Sequence, residues 1–298
     1  MKDEGELDDQ LPAYSHGRRG ANVFTQEPKM PTIVRDGITL YYEASGSGPP
    51  IVLTHSFLCD GSLFEAQVPL LAHSHRVVNV DLRGHGRSGA AESAFSIQDL
   101  VDDVLAILDA ERIENAVWMG LSIGGFLSLR AALTRPERVR ALILMDTDAG
   151  PESAWNKVQY KAMKWLYEAI GARIIVFKVL PIMLGRTTLQ SRPQIVAWFR
   201  RLFLATRIKS MGSAIEAIMG RDDMSEHLGE IRVPTLVLVG EEDAALPVSK
   251  SEFIARRIPG AELQIIPQAG HLSAAENPEA VTLAVTGFLS RVERIRAT

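Results

Sequence analysis

Short apolar runs alternate along this chain with longer segments whose apolar residues recur every three or four positions. Runs bounded by turn residues read as buried strands, and helical spacing reads as amphipathic helix. Residues 32–34 and 39–44 flank Asp36-Gly37, a hairpin turn pair. Five further buried strands follow at 51–54, 77–80, 116–119, 139–145 and 235–239, with another strand at 263–266. Between them, helices are predicted over 61–71, 97–108, 124–134, 247–257 and 278–292, with Ser96 as the N-cap of the second. Strand and helix alternate after an antiparallel start. That order predicts an α/β fold: a mostly parallel eight-stranded sheet with helices on both faces.

The alternation breaks once. Between Asp148 and His227 the apolar spacing is helical and no strand run is evident. Trp155, Val158, Ala162, Met163 and Leu166 follow that spacing, as do Ile195, Trp198, Phe199 and Leu202. A helical cap inserted after the sixth strand is therefore expected at 149–228, with the α/β core at 30–148 and 229–298. Residues 1–29 are polar and aperiodic and are expected to form a disordered leader.

Composition narrows the function classes. A hydrophobic share of 46% and a net charge of −4 suit a globular protein, and no basic cluster suggests nucleic acid. Cys59 is the single cysteine, so no disulfide framework forms within the chain, and a reducing cytoplasm is expected. The acidic start (Asp3, Glu4, Glu6, Asp8, Asp9) is the opposite of a signal peptide. The most apolar run, 173–185, is broken by Lys178 and Pro181, so no spanning helix and no membrane partner are expected. Composition leaves monomer and homo-oligomer equally open.

Chemistry enters with Gly120-Leu121-Ser122-Ile123-Gly124. This Gly-x-Ser-x-Gly sequence lies between a predicted strand and a predicted helix, the context a nucleophile elbow requires. The sharp turn presents the Ser122 hydroxyl above the sheet, and the backbone N–H of Ile123 points where an oxyanion would form. A serine hydroxyl needs a base, and the base needs a group that sets its tautomer. Gly240-Glu241-Glu242-Asp243 and Gly270-His271 follow the last two strands and supply both. The order Ser122, Asp243, His271 is the one this architecture uses. Asp146 and Asp148, after the sixth strand, are rival acids. Asp243 is favoured because its Gly-x-x-Asp loop precedes a helix and the His271 loop comes next.

These residues resemble the α/β-hydrolase superfamily over 31 to 292. The resemblance rests on Asp81-Leu82-Arg83-Gly84-His85-Gly86-Arg87-Ser88, on Gly120 to Gly125, on Val233-Pro234-Thr235 through Asp243, and on Gly270-His271-Leu272-Ser273. The nearest branch is similar to bacterial esterases, cofactor-free haloperoxidase-like perhydrolases and 3-oxoadipate enol-lactonases. His271-Leu272-Ser273, Asp146-Thr147 and Trp155 look most like the enol-lactonases. The resemblance implies a carboxylic-ester hydrolase for small to medium substrates, with lactonase and perhydrolase as alternatives. No cofactor and no metal are expected; the expected partner is a small ester or lactone. A receptor-like binding module is a further reading, against which an intact triad argues. The resemblance also implies that Phe57 donates a second oxyanion N–H. Where the family has His-Gly, this chain has His55-Ser56. Trp155, Met163, Leu166 and Leu272 are the expected pocket residues.

His55 and His85 read as structural, and His73 and His75 as surface-loop residues. His55 ends a buried strand and is expected to organise its loop. His85 sits in a Gly-His-Gly turn, and His73 and His75 have no third metal ligand nearby. Cys59 lacks the base a thiolate nucleophile needs.

Overall fold

The computed structural model describes residues 31–91, 93–170, 172–206 and 208–297; the leader expected at 1–29 lies outside them. The strands are β1 (Thr32–Arg35), β2 (Ile38–Ser45), β3 (Pro50–Thr54), β4 (Arg76–Val80), β5 (Ala116–Leu121), β6 (Val139–Met145), β7 (Thr235–Gly240) and β8 (Glu262–Ile266). They form one eight-stranded sheet in the order β1-β2-β4-β3-β5-β6-β7-β8. β1 and β2 pair antiparallel, as do β2 and β4, and every pairing from β3 onward is parallel. Asp36 and Gly37 both have positive φ, the conformation that a tight hairpin turn demands.

The helices are α1 (Gln67–Leu71), α2 (Ile97–Ala110), α3 (Ile123–Thr134), α4 (Ala154–Ile170), α5 (Ala172–Met183), α6 (Arg186–Ser191), α7 (Pro193–Ala205), α8 (Ile208–Met219), α9 (Val248–Arg257), α10 (Ser273–Glu276) and α11 (Pro278–Ala297). Ser96 caps α2 in a reciprocal arrangement with Asp99. One expected helix differs. The stretch 61–71 is a 3₁₀ turn at Gly61–Phe64 followed by the short α1. Asp60 accepts the Ser62 N–H and ties the first turn tightly.

Every residue of β5 and β7 is buried, so both sheet faces are covered at the centre. α3 lies on β5 and β6 and packs against α2; α1 and α11 pack together and reach β4, β7 and β8. Trp118, Ile51, Leu53 and Leu100 are fully buried in that core. Helices α4 to α8 run between β6 and β7 with no strand among the described residues there, as the spacing predicts. They sit beyond the carboxyl ends of the parallel strands, where open α/β sheets place their sites.

Candidate active site

Ser122 connects β5 to α3 with φ 56° and ψ −112°, a left-handed conformation that a serine adopts only under constraint. The constraint is visible on both sides of the peptide. The Ser122 N–H donates to the Met145 carbonyl at 2.9 Å, and the Ser122 carbonyl accepts from Thr147 Oγ1 at 2.8 Å. The flanking glycines permit the close approach. A Cβ on Gly120 would lie 2.0 Å from the Gly124 carbonyl oxygen, and one on Gly124 would lie 2.1 Å from that of Thr54. Gly124→Ala is accordingly expected to lose about 1–3 kcal/mol by overpacking. Urea denaturation of the variant checks it.

Two loops meet at the other side of the site. His271 follows β8 and Asp243 follows β7, and His271 Nδ1 lies 2.9 Å from Asp243 Oδ2. A carboxylate only accepts, so Nδ1 carries the proton and Nε2 is left with its lone pair. Asp243 Oδ1 accepts the N–H groups of Ala245 and Leu246, both at 2.9 Å, which fixes the carboxylate. Burial works against a charged His271. The charge and hydrogen bond of Asp243, aided by Asp146 and Glu276, outweigh it and raise the imidazole above its ordinary value.

Of the rival acids, Asp146 touches a different set of groups. Its Oδ1 accepts the Gly240 N–H at 2.7 Å, and Ser273 Oγ donates to its Oδ2. Burial, and then the charge of Asp243, push the Asp146 carboxyl well above the usual carboxylate range. Asp148 pairs with Lys250 at 2.9 Å and lies 3.7 Å from Arg221.

Ser122 and His271 line one cavity of about 380 Å³. Its floor includes Ser56, Phe57 and Leu58 from the loop after β3, and Phe126 from α3. Asn156, Gln159, Tyr160 and Met163 enter from α4, and Val179, Ile182 and Met183 from α5. Among the expected pocket residues, Met163 lines this cavity. Trp155 and Leu166 do not: they are 67% and 37% exposed and lie off the cavity lining, at the edge of the α4 face that enters it. Helical spacing alone cannot tell an outward apolar stripe from an inward one. Leu272 is fully buried beside His271 and also lies off the cavity lining.

Two buried groups, Glu276 and the Arg221–Glu152 pair, carry no signal in the sequence. Glu276 accepts the N–H groups of Gly185, Gly270 and Leu272 at 2.8, 3.0 and 3.1 Å, clamping both neighbours of His271. At the polar end of the cavity, Arg221 Nη1 donates to Glu152 at 2.9 Å and its guanidinium stacks 4.2 Å over Phe126. The polar face of α4 was readable in principle, because Asn156, Gln159 and Tyr160 share one helical face.

His75, expected in a surface loop, is buried, whereas the two histidines expected to be structural are satisfied locally. His55 Nε2 accepts the Leu82 N–H at 2.9 Å while Nδ1 bonds the Ser56 carbonyl at 2.8 Å. Burial lowers His55 and His85 to about 4, so both are neutral. Cys59 is buried, which pushes its thiol up. Among the described residues, no group of three His, Cys, Asp or Glu side chains is placed to hold a metal. Likewise, no described helix is long and apolar enough to cross a membrane.

Residues 49–278 match the family described as alpha/beta hydrolase fold. This chain belongs to that family. Among its relatives, the 3-oxoadipate enol-lactonase 1 of Acinetobacter baylyi is 29% identical over 272 residues, covering 87% of this chain and 96% of the relative. A thermophilic esterase from Thermogutta terrifontis superposes with a TM-score of 0.83 at 30% identity, covering 90% of this chain and 99% of the esterase. The enol-lactonase from Burkholderia xenovorans LB400 gives 0.82 at 30% identity, covering 87% and 100%.

Proposed function

We propose that this alpha/beta hydrolase is a carboxylic-ester hydrolase that works through an acyl-enzyme on Ser122. The observation that carries the reading is the His271–Asp243 contact at 2.9 Å, with His271 and Ser122 on one cavity. In the first half-reaction Ser122 Oγ attacks the ester carbonyl carbon while His271 Nε2 takes its proton. Asp243 holds the imidazole in the tautomer that can accept it and stabilises the imidazolium. The Phe57 and Ile123 N–H groups receive the negative charge that develops on the carbonyl oxygen. Ile123 opens α3, so its N–H has no partner within the helix. The imidazolium then protonates the departing alcohol. Water, deprotonated by His271, attacks the acyl carbon, and Ser122 recovers its proton as the acid leaves.

The cavity wall bears on the substrate. The Arg221 charge is met by Glu152, and Asp148 by Lys250, so this polar end presents no net charge to a substrate. Phe57, Leu58, Val179 and Met183 supply the apolar remainder. An uncharged ester or lactone of modest size suits such a wall. A cap spanning 149–228 would close over it and exclude water from the acyl group. A lactone is an ester with a tethered alcohol, and the two enol-lactonase relatives favour it as the second reading.

Turnover of p-nitrophenyl esters from acetate to palmitate tests the class. Each added methylene gains up to about 0.8 kcal/mol until the wall is reached, and strain then reverses the trend. The expected maximum in kcat/KM falls at about two to six acyl carbons. A single stoichiometric burst without turnover would mean a binding module rather than an enzyme.

A further inference from the structure

The outward faces of the inserted helices are unlike the rest of the molecule. Among the described residues, every aromatic side chain ranked as largely exposed lies on α4 or α5: Trp155 at 67%, Trp165 at 65% and Phe177 at 62%. Val158 and Ile174 are exposed beside them. Positions 155, 158, 162 and 165 form one helical stripe, and 174, 177 and 181 form another, on two helices that pack together. Large apolar side chains exposed side by side on a folded domain mark an interaction site.

Its charge identifies the occupant. Between residues 154 and 209 the sequence has eleven Lys and Arg against Glu168 as the sole acidic residue. The remaining chain carries 21 basic and 35 acidic residues, so this segment's charge of +10 stands against −14 for the rest of the sequence. Lys161, Arg173, Lys178, Arg200 and Arg201 are exposed, and the Arg200 guanidinium lies 5.7 Å from the Phe177 ring centre. Aromatic side chains among basic ones, on helices too polar to span a bilayer, are what lies in the plane of a lipid–water interface. Self-association fits poorly. A two-fold contact through this face would set its lysines and arginines against their own copies.

We propose that the α4–α5 face docks on anionic phospholipid bilayers, with the aromatic stripe in the headgroup region and the basic residues on lipid phosphates. The expectation of no membrane partner came from the break in the apolar run at Lys178 and Pro181. That break forbids spanning, whereas an interfacial helix needs such charges at its rim. Docking also has a use for the site. Ile182 is exposed and lines the cavity, so the mouth opens beside the docked face and would admit a small uncharged ester that partitions into the lipid.

Co-sedimentation of the full chain with vesicles tests this independently of any hydrolysis. One set of vesicles is phosphatidylcholine alone and the other is phosphatidylcholine mixed with phosphatidylglycerol. Binding is expected only to the mixed vesicles, and it should weaken as salt is raised. Trp165→Ser with Phe177→Ser should reduce the partition coefficient at least about tenfold. Lys161→Gln with Lys178→Gln should reduce it by about tenfold or more. All four side chains are exposed and off the cavity lining, and thermal melts by circular dichroism verify folding. Absence of binding to the mixed vesicles overturns the proposal, as does equal binding to both sets or undiminished binding by the folded variants. A dimer in light scattering that the Trp165→Ser, Phe177→Ser variant dissolves, with no vesicle binding, also overturns it by making the face a self-interface.

Discussion

Ser122→Ala is expected to lower kcat for ester hydrolysis by about a million-fold while leaving the fold intact. The substitution removes the oxygen proposed to form the acyl bond and nothing that holds the elbow. Ser122 is fixed through its backbone, by the Met145 carbonyl and by Thr147 Oγ1, and its side chain caps no helix N–H. His271→Ala should cost about as much, and the double variant should cost no more than either alone, because nucleophile and base act as one unit. Steady-state rates on p-nitrophenyl acetate, with circular dichroism as the folding check, measure this. A folded Ser122→Ala variant keeping more than about a tenth of the rate would remove Ser122 from the mechanism.

The second large effect separates the two buried acids. Asp243→Asn is expected to lower kcat by about ten-thousand-fold. Its amide can donate to His271 Nδ1, which would move the proton to Nε2 and leave the base unable to accept from Ser122. Asp146→Asn should leave most of kcat and act on stability, since Asp146 bonds the Gly240 N–H and Ser273 rather than His271. The pH profile adds a second readout. The base works only when neutral, so kcat/KM falls as pH drops through the His271 pKa, which Asp243 holds above the ordinary 6.5. In the residual activity of Asp243→Asn that limb should move to lower pH, because the chief influence raising it is gone. The opposite ranking of the two variants, both folded, would transfer the acid's role to the sixth strand.

Much of this arrangement was readable from sequence because its constraints are steric. The elbow leaves no room for a Cβ at Gly120 or Gly124, and that exclusion is what a Gly-x-Ser-x-Gly pattern records. Strand runs such as 141–145 are apolar throughout because parallel central strands are buried on both faces. The helical insertion was readable as helix but not in its orientation. Trp155 and Leu166 obey the same spacing as Met163 to within a turn, yet only Met163 faces the cavity. Apolar periodicity gives a face and not its partner. Here the more apolar face of α4 is the outward one, and the cavity face carries Asn156, Gln159 and Tyr160. The Glu276 clamp was invisible for another reason. Its partners are backbone N–H groups at Gly185, Gly270 and Leu272, and backbone groups leave no residue type to read.

The most direct test of the mechanism is covalent trapping. A p-nitrophenyl alkylphosphonate mimics the tetrahedral intermediate and should release one equivalent of p-nitrophenol per chain. Peptide mass mapping should then place the phosphonyl group on Ser122. His271→Ala should slow that labelling by orders of magnitude without moving it to another residue. Label on a different side chain, or complete inactivation with Ser122 unmodified, would contradict the account.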